Sequence, residues 1–311
     1  GGTAVGTDPT PEHGYRYKGA FSVKDKTTVK AISVVNWNGF KSGIVSKKIS
    51  YTTLATPKLT AADGKITLTG ITGGANYYYT TNGKTPTSSS ARYTGSFTAV
   101  PDTVYTVKGI GGGYYSSASV WATYGSSGKL YTDMRPGIWY YAAADRAVGE
   151  GMLELVGTKL APHTAVTRAQ LVTMLYRMSG SPSASGDMPF DDVPESAKYY
   201  EAVKWAYKNG IALGCGYDKF KPDEYVTREQ TCTFLARYAQ LCGKDLSGLS
   251  EKAIDAFADC DQVEPGLAGN VNAMCALKVV KGYEDGTIGP KYGITRAEAA
   301  TMLTRLEDIL K

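Results

Sequence analysis

Up to about residue 124 the chain alternates apolar and polar positions, and from about residue 131 its apolar residues fall at helical spacing. Between residues 55 and 124 the stretches KITLTGI, ANYYYTTNGKTP, DTVYTVKGI and SVWATY read as period-two strands rich in Val, Ile, Thr and Tyr, separated by Gly, Asn, Asp and Pro. They predict an all-β sandwich over 54–125. The segment ahead of it, 1–53, repeats the second part of that plan. TDPTPEHGYRYKGAFSV parallels KTPTSSSARYTGSFTAV, and TTVKAISVVNWNGFKSGIVSKKISY parallels DTVYTVKGIGGGYYSSASVWATY. This first copy lacks a counterpart of PKLTAADGKITLTGITGGANYYY, so its opening strands are missing and the chain is expected to be cut from a longer protein. Such a half-sandwich is expected to expose a sheet edge and a bare apolar face, and to be poorly ordered or covered by its neighbour.

The second half repeats one phrase three times: VTRAQLVTML at 166–175, VTREQTCTFL at 226–235 and ITRAEAATML at 294–303. Upstream of each lies an aromatic-x-Asp start, YTDM, FDDV or FADC, and the interval from its Asp to the motif Arg is 35, 36 and 37 residues. Three units follow, 131–180, 190–243 and 257–311, each read as helix, loop, helix. In YYEAVKWAYKNGIALG, Tyr200, Val203, Ala206 and Tyr207 share a face and Gly210 ends the helix. Turns such as GYDKFKP and GYEDGTIGP lead through Pro222 and Pro290 into the repeated phrase.

Thr167, Thr227 and Thr295 suit the N-cap position, and Gln170, Gln230 and Glu298 three residues later complete a capping box. Val166, Val226 and Ile294 precede the caps, and Leu171/Met174/Leu175, Phe234/Leu235 and Met302/Leu303/Leu306 supply the buried stripes. Capping does not explain Arg168, Arg228 and Arg296, cations set at the positive end of the helix dipole. Two readings stand side by side. Free helix N–H groups and the guanidinium fork make an anion site, or each Arg pairs with a neighbouring unit's Asp133, Asp192 or Asp259 and stitches the units together.

Composition changes this picture little. The 311 residues are 42% hydrophobic and 20% charged, with no apolar run near the roughly 20 residues a membrane helix needs, and the start GGTAVGTDPT lacks the regions of a secretion signal. Charge is uneven: 13 Lys+Arg against 5 Asp+Glu through residue 128, and 21 against 24 after it. The basic half has no Lys/Arg stripe, which favours a solvated strand surface over nucleic-acid binding. Tyr77, Tyr78 and Tyr79 are consecutive, so they face opposite sides of a strand and form no flat glycan platform.

Cys215, Cys232, Cys242, Cys260 and Cys275 show no C-x-x-C and no histidine partner, so no metal or redox pair is expected. They read as buried free thiols, with one disulfide such as Cys232 to Cys242 left open. His13 and His163 have no nucleophile context, and Asp191/Asp192 and Asp259/Asp261 sit too close together to flank a glycosidic bond. No catalytic residue and no cofactor is expected in this chain.

Asn82-Gly83-Lys84-Thr85-Pro86-Thr87, with Tyr93 and Gly95, resembles the T-x-G-x-x-P-T and Y-x-G signature of bacterial immunoglobulin-like modules related to the chitobiase C-terminal domain. Asp8, Pro9, Thr10, Tyr17, Gly19 and the strand Thr28 to Ile32 carry the same resemblance in the first copy. Such modules usually act as spacers. Residues 131 to 310 resemble three S-layer homology repeats, the arginine phrases matching that family's TRAE motif. The fold implied is multidomain: immunoglobulin-like β modules, then an all-α pseudo-threefold bundle of three repeats.

The function implied is non-covalent anchoring to a secondary cell-wall polymer on the peptidoglycan of a Gram-positive-type wall, the polymer anionic and often pyruvylated. The resemblance places Arg168, Arg228 and Arg296 in grooves facing that polymer, with help from Gly214, Gly216, Gly282, Asp285 and Gly286. The partners implied are the wall polymer and, in a surface lattice, further copies of the chain; nucleic acid and membrane are not among them.

This chain departs from the pattern at several points. Unit 1 shortens the loop to GTKLAP, units 1 and 2 carry Gln for the motif Glu, and unit 3 has GLAGN where the others are aromatic, which predicts the weakest first helix there. Not every groove need be competent. Two other functions stay open: an adhesin whose β modules bind host or neighbouring-cell partners, and the anchoring fragment of a larger surface enzyme.

Overall fold

The computed structural model describes residues 8–10, 15–23, 26–34, 40–249 and 252–311. His13 lies outside the described residues. In the first copy β1 (Thr28–Ala31) pairs antiparallel with β2 (Val45–Lys48). Among the described residues none ahead of Leu54 is a fully buried hydrophobic, and Tyr15, Tyr17, Phe21, Phe40 and Val45 are exposed. Of these five, only Val45 lies on β1 or β2. Where the first copy joins the next module, the Leu54 N–H donates to Tyr115 O (2.9 Å), the Tyr115 N–H donates to Thr52 O (3.0 Å), and Tyr51 meets the Tyr115 ring edge-on.

The complete module is a two-sheet sandwich. One sheet orders β3 (Lys58–Ala62), β4 (Lys65–Thr69) and β7 (Phe97–Thr98). The other runs β10 (Leu130–Tyr131), β9 (Val120–Tyr124), β8 (Thr103–Gly109), β5 (Tyr77–Thr80), β6 (Ala91–Arg92). Alternation puts Ile66 and Leu68 inside from β4, and Tyr105 and Val107 inside from β8. Within the tyrosine triplet, Tyr77 is buried and donates its hydroxyl to Ala55 O (2.8 Å), while Tyr79, on the same face, stacks on Phe97 at 4.5 Å. Tyr78 takes the other side, so no flat aromatic platform forms.

The sheet runs past residue 125 into the first helical unit. Leu130 pairs with Tyr124 and Tyr131 with Thr123, so Tyr131 ends the sandwich and begins the helical core. Its hydroxyl donates to Asp145 Oδ1 (2.6 Å), the Tyr141 hydroxyl donates to Asp102 Oδ1 (2.7 Å), and the Thr123 hydroxyl donates to Met134 O (2.8 Å). Burial, then the Asp145 bond, push the Tyr131 phenol well above its ordinary range, so it stays a donor. The joint leaves no room for a larger residue: a Cβ on Gly125 would lie 2.1 Å from Asp145 Oδ1.

Among the described residues six α-helices follow: α1 (Tyr141–Gly149), α2 (Arg168–Met178), α3 (Tyr200–Lys208), α4 (Arg228–Leu241), α5 (Ala268–Ala276) and α6 (Arg296–Leu310). The expected weakness of unit 3 does not shorten its first helix: α5 has nine residues, as α1 and α3 do. Tertiary burial of Val271 and Met274 outweighs the missing aromatics. In unit 2 Gly210 (φ 69°) closes α3 in a Schellman turn, its N–H donating to Tyr207 O and the Ile211 N–H to Ala206 O. All three capping boxes form, and Val166, Val226 and Ile294 ahead of them are fully buried.

Those three residues also close a circle of hydrogen bonds. The Val166 N–H donates to Ile294 O (2.9 Å), the Val226 N–H to Val166 O (3.0 Å) and the Ile294 N–H to Val226 O (3.2 Å). Helix contacts follow the same order, α2 on α3, α4 on α5 and α6 on α1. Arg146 on α1 pairs with Glu307 and Asp308 on α6, and one hydrophobic core extends from Tyr131 to Leu306.

The five cysteines are free, and only Cys232 is fully buried; Cys215 and Cys242 are exposed, against the expectation of uniformly buried thiols. Cys232 lies on α4 and Cys242 caps its end. That separation, about 15 Å along the axis, rules out the disulfide left open above. Among the described residues no helix is long and apolar enough to cross a membrane.

Candidate functional site

Arg168, Arg228 and Arg296 each open a motif helix at a seam between two units, with relative exposures of 4%, 5% and 8%. Their backbones dock alike. The N–H groups of Arg168 and Ala169 donate to Glu224 O and Pro222 O, those of Arg228 and Glu229 to Tyr292 O and Pro290 O, and those of Arg296 and Ala297 to Thr164 O and Pro162 O. The next N–H goes to the capping threonine. The leading helix donors are therefore all taken up within the protein, which corrects the expectation that they would offer an anion site. What remains is the guanidinium.

Nor do the arginines pair with Asp133, Asp192 and Asp259. Each aspartate clamps its own unit's loop through two backbone donors: Leu160 and Ala161 for Asp133, Phe220 and Lys221 for Asp192, Ile288 and Gly289 for Asp259, at 2.7–2.9 Å. The arginine of the preceding unit then takes the loop's carbonyl. Arg168 Nε donates to Phe220 O (2.9 Å) and Arg296 Nε donates to Leu160 O (2.6 Å). A carboxylate with both oxygens engaged by two adjacent amides satisfies donors that burial would otherwise leave orphaned, so it has no reason to swing toward the arginine.

The three guanidinium groups differ in what else they meet. Arg168 lies over the Phe220 and Phe234 rings, at 5.0 and 5.3 Å, and its two terminal nitrogens have no hydrogen-bond partner among the described residues. Arg296 gives one terminal nitrogen to Glu154 O. Burial lowers the pKa of both, partly offset by acids that stand nearby without pairing: Glu224 and Asp192 for Arg168, Asp133 and Glu154 for Arg296.

Arg228 instead donates to Glu298 Oε1 (2.9 Å) and Lys281 O (2.5 Å), lies 4.6 Å over the Tyr283 ring, and leaves a buried Nε without a partner. Tyr283 donates its hydroxyl to the same Glu298 oxygen (2.7 Å). Its pKa is pushed up to about 12, chiefly by burial, with Arg228 pulling the other way.

The loop residues sit beside these seams and shape them. A Cβ on Gly214 would lie 2.6 Å from the Phe190 ring, and one on Gly282 would lie 2.2 Å from the Phe257 ring. Gly216 and Gly286 adopt φ 86° and 81°, and Asp285 accepts from the Thr287 N–H and hydroxyl, holding the turn. In unit 1 the corresponding turn closes from Val156 to Lys159, one residue shorter than Cys215 to Lys219 or Tyr283 to Thr287. Exposed His163 meets Tyr140 edge-on, and Asp191 pairs with Lys219. Sequence reading missed Phe220, Leu160 and Lys281, because they act through carbonyl groups that every residue carries. Only the near-constant interval between the motif Asp and Arg hinted that their surroundings recur.

Comparison with known proteins fits this layout. The S-layer homology domain matches residues 189–232 and 256–300, and the chitobiase/beta-hexosaminidase C-terminal domain matches residues 56–121. This chain carries S-layer homology repeats behind a chitobiase C-terminal-like module. Residues 131–180 fall outside those matches, yet carry the same cap, aspartate clamp and seam arginine as the two matched S-layer homology repeats.

The chain is 32% identical over 149 residues to an endoglucanase of Bacillus sp. (strain KSM-635), covering 48% of this chain and 15% of the relative. It is 30% identical over 147 residues to a surface-layer 125 kDa protein of Lysinibacillus sphaericus (46% and 12%), and 24% identical over 149 residues to a cellulosome-anchoring protein of Acetivibrio thermocellus (46% and 32%). The chain thus spans less than a third of each relative's length. The S-layer homology family and these relatives support anchoring at the cell surface.

Proposed function

We propose that the chain is an extracellular anchor whose three helical units form a pseudo-threefold bundle and hold an anionic, pyruvate-bearing secondary cell-wall polymer of a Gram-positive-type wall. Arg168, Arg228 and Arg296 stand in the three seams that face the polymer, Arg168 and Arg296 without a carboxylate partner among the described residues, and the glycine loops around Gly214, Gly216, Gly282, Asp285 and Gly286 shape the walls beside them. The carrying observation is that a motif arginine stands in every seam and two of the three have no carboxylate within ion-pairing distance among the described residues. A guanidinium is charged at any physiological pH, so a desolvated one without a counter-ion favours an anionic partner.

The β modules act as spacers, and the shared strand β10 would pass load from sandwich to bundle without a loose linker. A second reading, the anchoring part of a larger surface enzyme, is favoured by the resemblance to an endoglucanase and an exoglucanase. Neither reading assigns catalysis to the residues present here.

Co-sedimentation with purified sacculi tests the anchor. The chain should pellet with intact sacculi and stay in solution after acid removal of the non-peptidoglycan polymer. Equal pelleting with stripped sacculi, or none with either, would return the arginines to a purely structural role.

A further inference from the structure

The three seams are built alike up to one position, the third residue of the motif helix, which is Gln170 in unit 1, Gln230 in unit 2 and Glu298 in unit 3. Each closes its capping box by accepting from the capping threonine's N–H. For a glutamine this uses its only oxygen, and the rest of the group is an NH2 donor. A glutamate has an oxygen to spare. Glu298 accepts from the Thr295 N–H and hydroxyl with Oε2, and gives Oε1 to Arg228 and the Tyr283 hydroxyl.

The matching backbone bonds place Arg168 toward unit 2, Arg228 toward unit 3 and Arg296 toward unit 1. Gln230 therefore stands to Arg168, and Gln170 to Arg296, as Glu298 stands to Arg228. The loop residue opposite changes too. Closing the same turn, Cys215 and Val156 stand where unit 3 has Tyr283, and neither can bring a hydroxyl to the seam.

We infer that the Gln or Glu at this position selects which seams are open to an anion: Arg168 with two terminal nitrogens free among the described residues, then Arg296 with one, while Arg228 is neutralised from within by Glu298. The chain then carries two working anion sites of unequal strength and one that is closed. The orphaned Nε of Arg228 fits this, since its counterparts in the other seams bond a loop carbonyl and Glu298 draws Arg228 away from that position. The ligand class is a carboxylate small enough to meet a guanidinium fork edge-on, and its presence on a wall polymer rests on the function proposed above.

The test uses the full chain with nitrogen-15 arginine and records guanidinium resonances while sodium acetate, a plain carboxylate probe, is titrated. Arg168 should move most, Arg296 less and Arg228 little. Gln230→Glu should weaken the Arg168 response at least about tenfold, the loss of one charge-assisted bond. Glu298→Gln, which installs the residue the other two units use, should make Arg228 respond. An Arg228 that responds as strongly as Arg168 in the unmodified chain, or a Gln230→Glu variant with unchanged response, overturns the inference. Released wall polymer, titrated in parallel, separates the two claims. Acetate selectivity without polymer binding would keep the charge selection and remove the anchor; polymer binding by both unmodified chain and Gln230→Glu with equal strength would do the reverse.

Discussion

Arg168 and Arg228 occupy the same place in the same phrase, both nearly buried, and they do different things. Arg168 lies over two phenylalanine rings with a carbonyl on Nε and no acid in contact among the described residues; Arg228 sits over a tyrosine and is held by Glu298. A repeated motif therefore fixes where a charge is placed, and the residue at the seam's far side decides whether the charge is spent on the fold. Counting motifs would have assigned all three seams one role.

The largest expected effect removes what the seams share. Asp259→Ala strands the buried N–H groups of Ile288 and Gly289, which should cost about 2–5 kcal/mol in denaturant unfolding. A loss under about 1 kcal/mol would show that the aspartate clamp is not what holds the loop.

Next comes the contrast itself. Arg228→Ala leaves Glu298 largely buried without its cation and should cost about 3 kcal/mol, whereas Arg168→Ala strands mainly the Phe220 carbonyl and should cost about 1–2 kcal/mol. Wall binding should rank the opposite way, falling more for Arg168→Ala. Equal losses in both measurements would erase the distinction drawn between the seams.

Capping should be blind to that distinction. Thr167→Ala, Thr227→Ala and Thr295→Ala each lose the same cap, and each should cost about 1 kcal/mol in thermal or denaturant melts. The smallest effect is alkaline. Tyr283 has its pKa raised from 10.0 to about 12, so the unfolded chain loses that proton first. Its contribution is full below pH 10 and disappears as pH rises through about 12. Tyr283→Phe should flatten that part of the stability profile, and an unchanged profile would show that Tyr283 does not set it.

Much of the architecture was legible because it rests on local rules. Alternation located the β strands, and three Thr-x-x-Gln/Glu boxes located three helix starts. Tyr15, Tyr17 and Phe40, in the segment read as an incomplete module, are exposed. The site was less legible. The candidate arginines do gather at seams, but their partners are backbone carbonyls of Phe220, Leu160 and Lys281, which leave no mark on a sequence. The helix N–H groups, expected to be free, are used by a neighbouring unit 50 or more residues away, as when Arg168 docks on Glu224. Nor did the pattern show that the sandwich and the first helical unit share Tyr131, since a two-residue strand is too short for periodicity to register.

The most direct test of the account is calorimetric titration of acid-released wall polymer into the unmodified chain and into an Arg168→Gln/Arg296→Gln variant, at low and high salt, with melts to verify that the variant is folded. The account predicts binding that weakens with salt and is lost in the folded variant. Polymer binding that survives both substitutions with unchanged affinity would contradict it.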